Sequence, residues 1–150
     1  MKKRLFDEYK SNEHYWGDAF EITISDFDTS TEKLRIVLLD KVCQQENLNQ
    51  LGENWVKIDF TAANKLLQYA LQYDLAYSIE LAPEEKAQTF KNLMLSGFES
   101  GDCICYTNWS GFPGEENCLG WEPLTENTFD IAIVFMNQNK MVVTYFIAED

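Results

Sequence analysis

Two runs near the C-terminus dominate the pattern of apolar positions. Phe129 to Phe135 and Met141 to Ile147 are rich in β-branched and aromatic residues, and the polar Asn137-Gln138-Asn139-Lys140 separates them. Polar residues between such runs predict a β-hairpin, because Asn tolerates the left-handed backbone of a tight reversal. Neither run alternates cleanly between apolar and polar. Both faces of each strand are therefore expected to be covered, with the hairpin at the middle of a sheet.

Upstream the period changes several times. Phe20, Ile22 and Ile24 alternate with Glu21, Thr23 and Ser25, which predicts a strand exposed on one face. Thr29 and Glu32 have the spacing of a capping box, so a helix is expected to about Glu46 with Leu34, Leu38 and Val42 in one row. Ile36 to Leu39 can also be read as a buried strand. Trp55 to Phe60 alternates again. Thr61 then offers a cap for a helix on which Leu66, Ala70, Tyr73 and Tyr77 recur beside Leu67 and Leu71. Pro83 opens another helix, with Glu84 and Glu85 at the positive end of its dipole, Ala87, Phe90 and Met94 inward, and Gly97 as its stop. Leu5, Tyr9 and Trp16 suggest a short helix over residues 2 to 16. From Phe98 to Asn127 glycines and prolines break the chain into short segments, Cys103 to Tyr106 reading as a strand and Asn108 to Gly114 as loop. The order predicts an α+β fold: one domain over residues 1 to 150, a mostly antiparallel sheet with a central C-terminal hairpin (129–147), and two to four helices packed on it.

Composition supports a buried core, since 45% of the 150 residues are hydrophobic and 14% aromatic. Charge adds a direction. The net charge of −13, from 25 acids and 12 bases, disfavours nucleic acid and anionic lipid as partners and favours basic proteins or cations. No basic stripe of a nucleic-acid surface occurs. The basic start Met1-Lys2-Lys3-Arg4 is followed by Leu5 to Lys10, too polar for a signal peptide, and no apolar run reaches the roughly 18 residues of a membrane span. A cytoplasmic protein not bound to membranes is expected, with Cys43, Cys103, Cys105 and Cys118 as reduced thiols.

The charge is uneven along the chain. Between Lys91 and Lys140 there is no Lys or Arg, whereas Glu99, Asp102, Glu115, Glu116, Glu122, Glu126 and Asp130 all fall there. Trp109, Phe112 and Trp121 lie in the same span. Large aromatics beside fixed charge have the composition of a protein-binding hot spot, apolar anchors giving affinity and carboxylates steering a basic partner. The candidate partner-binding residues are accordingly Glu99, Asp102, Trp109, Phe112, Glu115, Glu116, Trp121, Glu122 and Glu126. The competing account makes Trp109 and Trp121 the core of an Ω-type loop that its acids keep soluble.

Other chemistry is poorly supplied. Cys103 and Cys105 on a strand would point both sulfurs to one face, and Cys118 lies on the same irregular segment. A zinc site would still lack a fourth ligand, because the single histidine, His14, is distant and paired Cys-x-x-Cys knuckles are missing. Small buried thiols are the commoner fate, and no basic residue lies nearby in sequence to lower a thiol pKa for redox work. Acid pairs such as Asp26 with Asp28 carry no specificity in so acidic a chain, and Gly111 to Gly114 is no phosphate loop. No catalytic residue, metal or cofactor is therefore assigned. The alternatives are a small enzyme or metal-binding domain using Cys103, Cys105 and Cys118, and an adaptor subunit of a larger complex.

In whole-chain character the sequence resembles the small, acidic, cytosolic single-domain proteins that silence a basic toxin, such as bacterial immunity proteins. The resemblance lies in size, charge and composition and carries no motif. It implies a monomeric inhibitor whose loop 99–126 plugs the cleft of a cationic partner, a nuclease for example, by imitating phosphates.

Overall fold

The computed structural model describes residues 2–6 and 17–149. In chain order the strands are β1 (Lys2–Arg4), β2 (Gly17–Thr23), β3 (Val56–Ile58), β4 (Ile104–Thr107), β5 (Trp109–Ser110), β6 (Gly120–Trp121), β7 (Phe129–Met136) and β8 (Lys140–Ala148). The helices are α1 (Glu32–Gln45), α2 (Phe60–Gln72) and α3 (Glu84–Met94). Six strands form one antiparallel sheet in the order β1-β2-β8-β7-β4-β3, and β5 with β6 makes a separate two-stranded ribbon.

The predicted hairpin is β7–β8 and occupies the two middle positions. Its residues divide by parity: Ile131, Ile133, Phe135, Val142 and Phe146 pack under α2 and α3, whereas Ala132, Val134, Met136, Met141 and Val143 pack under α1. A helix layer on each face is why neither strand alternates in sequence. Such fully buried side chains contribute about 1.5–3 kcal/mol each. The turn closes by another route than the one expected. Among the described residues only Asn47 and Ser78 are non-glycine positions with positive φ. Instead, Asn137 Oδ1 accepts the amides of Asn139 (2.8 Å) and Lys140 (2.9 Å), an Asx-type turn.

Helix starts differ from expectation by two residues. Thr31, not Thr29, caps α1 by accepting the Leu34 amide at 3.2 Å, and Asp59, not Thr61, caps α2 by accepting the Ala62 amide at 2.7 Å. Phe60 is consequently helical and β3 stops at Ile58. Residues 36 to 39 are helix. The buried row of α1 is Leu38, Leu39, Val42 and Cys43, while Leu34 and Val37 face outward. On α3 the expected inward row of Ala87, Phe90 and Met94 is buried. Tyr77 lies beyond the end of α2 and is exposed.

The helix expected from residue 2 is not what the start of the chain forms. Lys2 to Arg4 pair with Ile22, Glu21 and Phe20 as an edge strand. Charge holds it there: Arg4 pairs with Asp18 and Glu46, Lys2 with Glu46, and both cations lie over the Phe20 ring at 5.2 and 5.1 Å. Tyr9, His14 and Trp16 lie outside the described residues. Among the described residues no helix is long and apolar enough to cross a membrane.

Candidate functional site

The acidic span is built around a polar cluster inside the sheet. Asp130, second residue of β7, is 0% exposed and flanked along the strand by Phe129 and Ile131. Its carboxylate accepts from Asn108 Nδ2 (2.8 Å), the Leu124 amide (3.1 Å), the Thr125 amide (2.9 Å) and Thr125 Oγ1 (2.8 Å). Asn108, also buried, donates to Glu122 O (2.9 Å) and accepts the Ala132 amide (2.8 Å) through Oδ1. A buried carboxylate is tolerated only when its oxygens are occupied, and here they are. Asp130 acts as an anchor that ties residues 122–125 to the central strand.

The ribbon stands on this anchor. Trp109 and Trp121 face one another across β5 and β6, their rings stacked at 4.6 Å and 13°, and Trp121 continues onto Phe129 at 5.5 Å. Trp109 is 6% exposed and donates its indole N–H to Asp130 O at 2.7 Å. Phe112 is half-buried and meets Tyr69 of α2 edge-on at 5.3 Å. Gly111 adopts φ +102°, and a Cβ there would lie 2.7 Å from Cys118 Cα, so no other residue fits this turn.

The acids point the other way. Glu115, Glu116, Glu122 and Glu126 are exposed. Among the described residues the ion pairs join Lys2, Arg4 and Lys140 to Asp18, Glu21 and Glu46, and none reaches these four. Glu115 borders cavities of about 410 and 440 Å³ along α2, beside Lys65 and Phe112. Glu122 borders a smaller polar recess of about 200 Å³ on another flank, with Asn54, Ser110 and Leu119. Leu119 is 87% exposed, the most exposed large apolar side chain among the described residues. The ribbon is thus a surface loop packed on the core through its aromatics, with acids on more than one flank and an exposed leucine.

Not all nine candidate residues meet. Glu99 and Asp102 are exposed but precede β4, and Asp102 lines a cavity of about 520 Å³ with Arg35 and the hairpin turn Asn137 to Asn139. Ile104 pairs with Met136, next to that turn, and Thr107 with Ile133. Glu99 and Asp102 therefore sit at the opposite end of β4 from the ribbon. Glu115, Glu116, Trp121 and Glu122 belong to the ribbon, Phe112 joins it to α2, Trp109 is its buried base, and Glu126 lies on its return into β7. Three residues of the site were missed in the sequence: Leu119, Asn108 and Asp130. Only Asp130 left a signal, as the single acid in an apolar strand.

The cysteines divide likewise. Cys103 and Cys105 have their sulfurs 3.7 Å apart. Cys118 lies in the ribbon's turn against Gly111. Among the described residues no three His, Cys, Asp or Glu side chains converge as a metal site.

Set against family models, curated proteins and solved structures, the chain matches none. Fold and site together define an antiparallel α+β protein with a small two-stranded ribbon whose acids are exposed.

Proposed function

We propose that the protein binds a basic protein partner through the ribbon of residues 108–126 and acts as an inhibitor of the immunity type, filling the anion-binding cleft of a cationic enzyme such as a nuclease. One observation carries the reading: four exposed carboxylates that form no ion pair with a base of the described chain are held on a loop braced by the Asp130 anchor and the Trp109–Trp121 stack. Exposed carboxylates of one sign steer a cationic partner toward the loop. A braced loop loses little entropy on binding. The aromatics contribute by fixing the loop, and Leu119 supplies the apolar contact that Trp109 cannot. The reading carries with it a cytoplasmic, bacterial setting, that of the immunity proteins the chain resembles in size and charge.

The test is capture from native lysate with tagged protein, comparing wild type with a Glu115→Gln/Glu116→Gln/Glu122→Gln variant and with Leu119→Asp. The reading expects one basic protein retained at low salt by wild type, released at high salt, and lost from both variants, its enzymatic activity suppressed by wild type alone. Equal retention by wild type and both variants would remove the ribbon from the interface.

A further inference from the structure

The cysteine pair at the start of β4 stands apart from the acidic loop. Cys105 is the second residue of the strand and Cys103 immediately precedes it, so both side chains leave the same face, toward α2 and α3. Their sulfurs are in contact at 3.7 Å with no bond between them. The two are unequal. Cys105 is 0% exposed, and Cys103 is half-buried. Either thiol can donate in this contact; with Cys105 as the donor, and with a further hydrogen bond from the Met136 backbone, Cys103 is held below the usual thiol range, against burial and the neighbouring Asp102. The same bond and burial push Cys105 up. A basic residue was the missing ingredient for thiol chemistry in the sequence. A second thiol two residues away does that work here.

We propose that Cys103 and Cys105 form a thiol–disulfide exchange site for low-molecular-weight disulfides of the glutathione class. The Cys103 thiolate attacks one sulfur of the disulfide, forming a mixed disulfide and expelling the other half as a thiolate, which takes up the proton that Cys103 has lost. Cys105 then loses its proton and attacks the Cys103 sulfur. The intramolecular bond forms, the second thiolate leaves, and it is protonated in turn. Two protein thiols and one small disulfide thus become one protein disulfide and two small thiols. Exposure sets the order, because only Cys103 can be reached from solvent and only Cys105 is in place to resolve it.

Strand geometry makes the product labile. Residues two apart on a strand have Cα atoms about 6.6 Å apart, near the roughly 6.8 Å upper limit for a disulfide. Closure must pull Cys103 toward β4. Cys103 lies just outside the ladder, whose first pair is Ile104 with Met136, so the strain falls at the end of the strand. A strained disulfide has a more oxidising potential and is readily reduced, which suits a reversible site better than a structural crosslink.

The experiment incubates purified protein with oxidised glutathione, quenches in acid, alkylates the remaining thiols and maps the peptides by mass spectrometry. Wild type is expected to lose two hydrogens, keep no glutathione, protect Cys103 and Cys105 from alkylation, and regain both thiols with dithiothreitol. Cys105→Ala should accumulate glutathione on Cys103, and Cys103→Ser should take up none at position 105. Cys118, also half-buried, serves as the internal comparison and should react severalfold more slowly. The proposal is overturned if wild type retains glutathione on Cys103 without closing, if the bond maps to Cys118, or if Cys103 reacts no faster than Cys118. The wild-type measurement needs no variant to fold.

Discussion

The central hairpin β7–β8 and the ribbon β5–β6 adjoin each other and are ordered by different forces. The hairpin is held by apolar burial on two faces, Phe135, Val142 and Ile133 against α2 and α3, Val134, Val143 and Met136 against α1. The ribbon has two residues per strand and leans on directed contacts: four donors on Asp130, three bonds through Asn108 and one stacked tryptophan pair. Burial is non-directional and tolerates variation in shape. A hydrogen-bonded anchor is directional and fails when one partner goes. Such an anchor is the means by which a loop with outward-facing acids keeps a single shape.

Substitutions should separate the two regions, the largest effect first. Phe135→Ala empties a fully buried site between Phe60 and Phe98 and should cost about 3–5 kcal/mol in urea unfolding, with hydrogen exchange accelerated throughout the sheet. Asp130→Ala leaves buried donors on Asn108 and the Leu124 amide without their acceptor and should cost about 3 kcal/mol. Its signature is regional: the amides of Leu124 and Thr125 should lose protection while those of β8 keep theirs. Equal loss in both regions would show that the ribbon has no separate anchor. Trp109→Phe keeps a stacking ring but removes the bond to Asp130 O, and about 1 kcal/mol is expected, read as a shift of the urea midpoint with unchanged slope. Glu115→Gln/Glu116→Gln/Glu122→Gln should leave stability within about 0.5 kcal/mol, because these side chains are exposed and pair with no base of the described chain.

The same contrast explains what was legible in the sequence. The hairpin was legible because burial is recorded in composition, residue by residue, and the α3 row because a period of 3.6 survives without knowledge of neighbours. The caps were displaced by two residues because Thr29 and Thr31, or Asp59 and Thr61, all offer an oxygen. The choice depends on where the chain leaves the sheet, as β3 does once Ile58 has paired with Cys105. The acidic loop was legible as an imbalance of charge. Its geometry was not, since Trp109 turns inward on a carbonyl 21 residues away. Glu99 and Asp102 are close to the ribbon in sequence only, because β4 carries the chain about 13 Å between them. Leu119 left no trace, as a lone leucine between Cys118 and Gly120 has no period to belong to.

The most direct test of the proposed function is the association rate of the captured basic partner, measured by stopped flow over a series of salt concentrations. Wild type should associate fast at low salt and slow steeply as salt rises, because exposed charges are screened beyond a Debye length of about 10 Å at 0.1 M. The Glu115→Gln/Glu116→Gln/Glu122→Gln variant should start slower and depend only weakly on salt. Identical rates for the two proteins at every salt concentration would contradict the account.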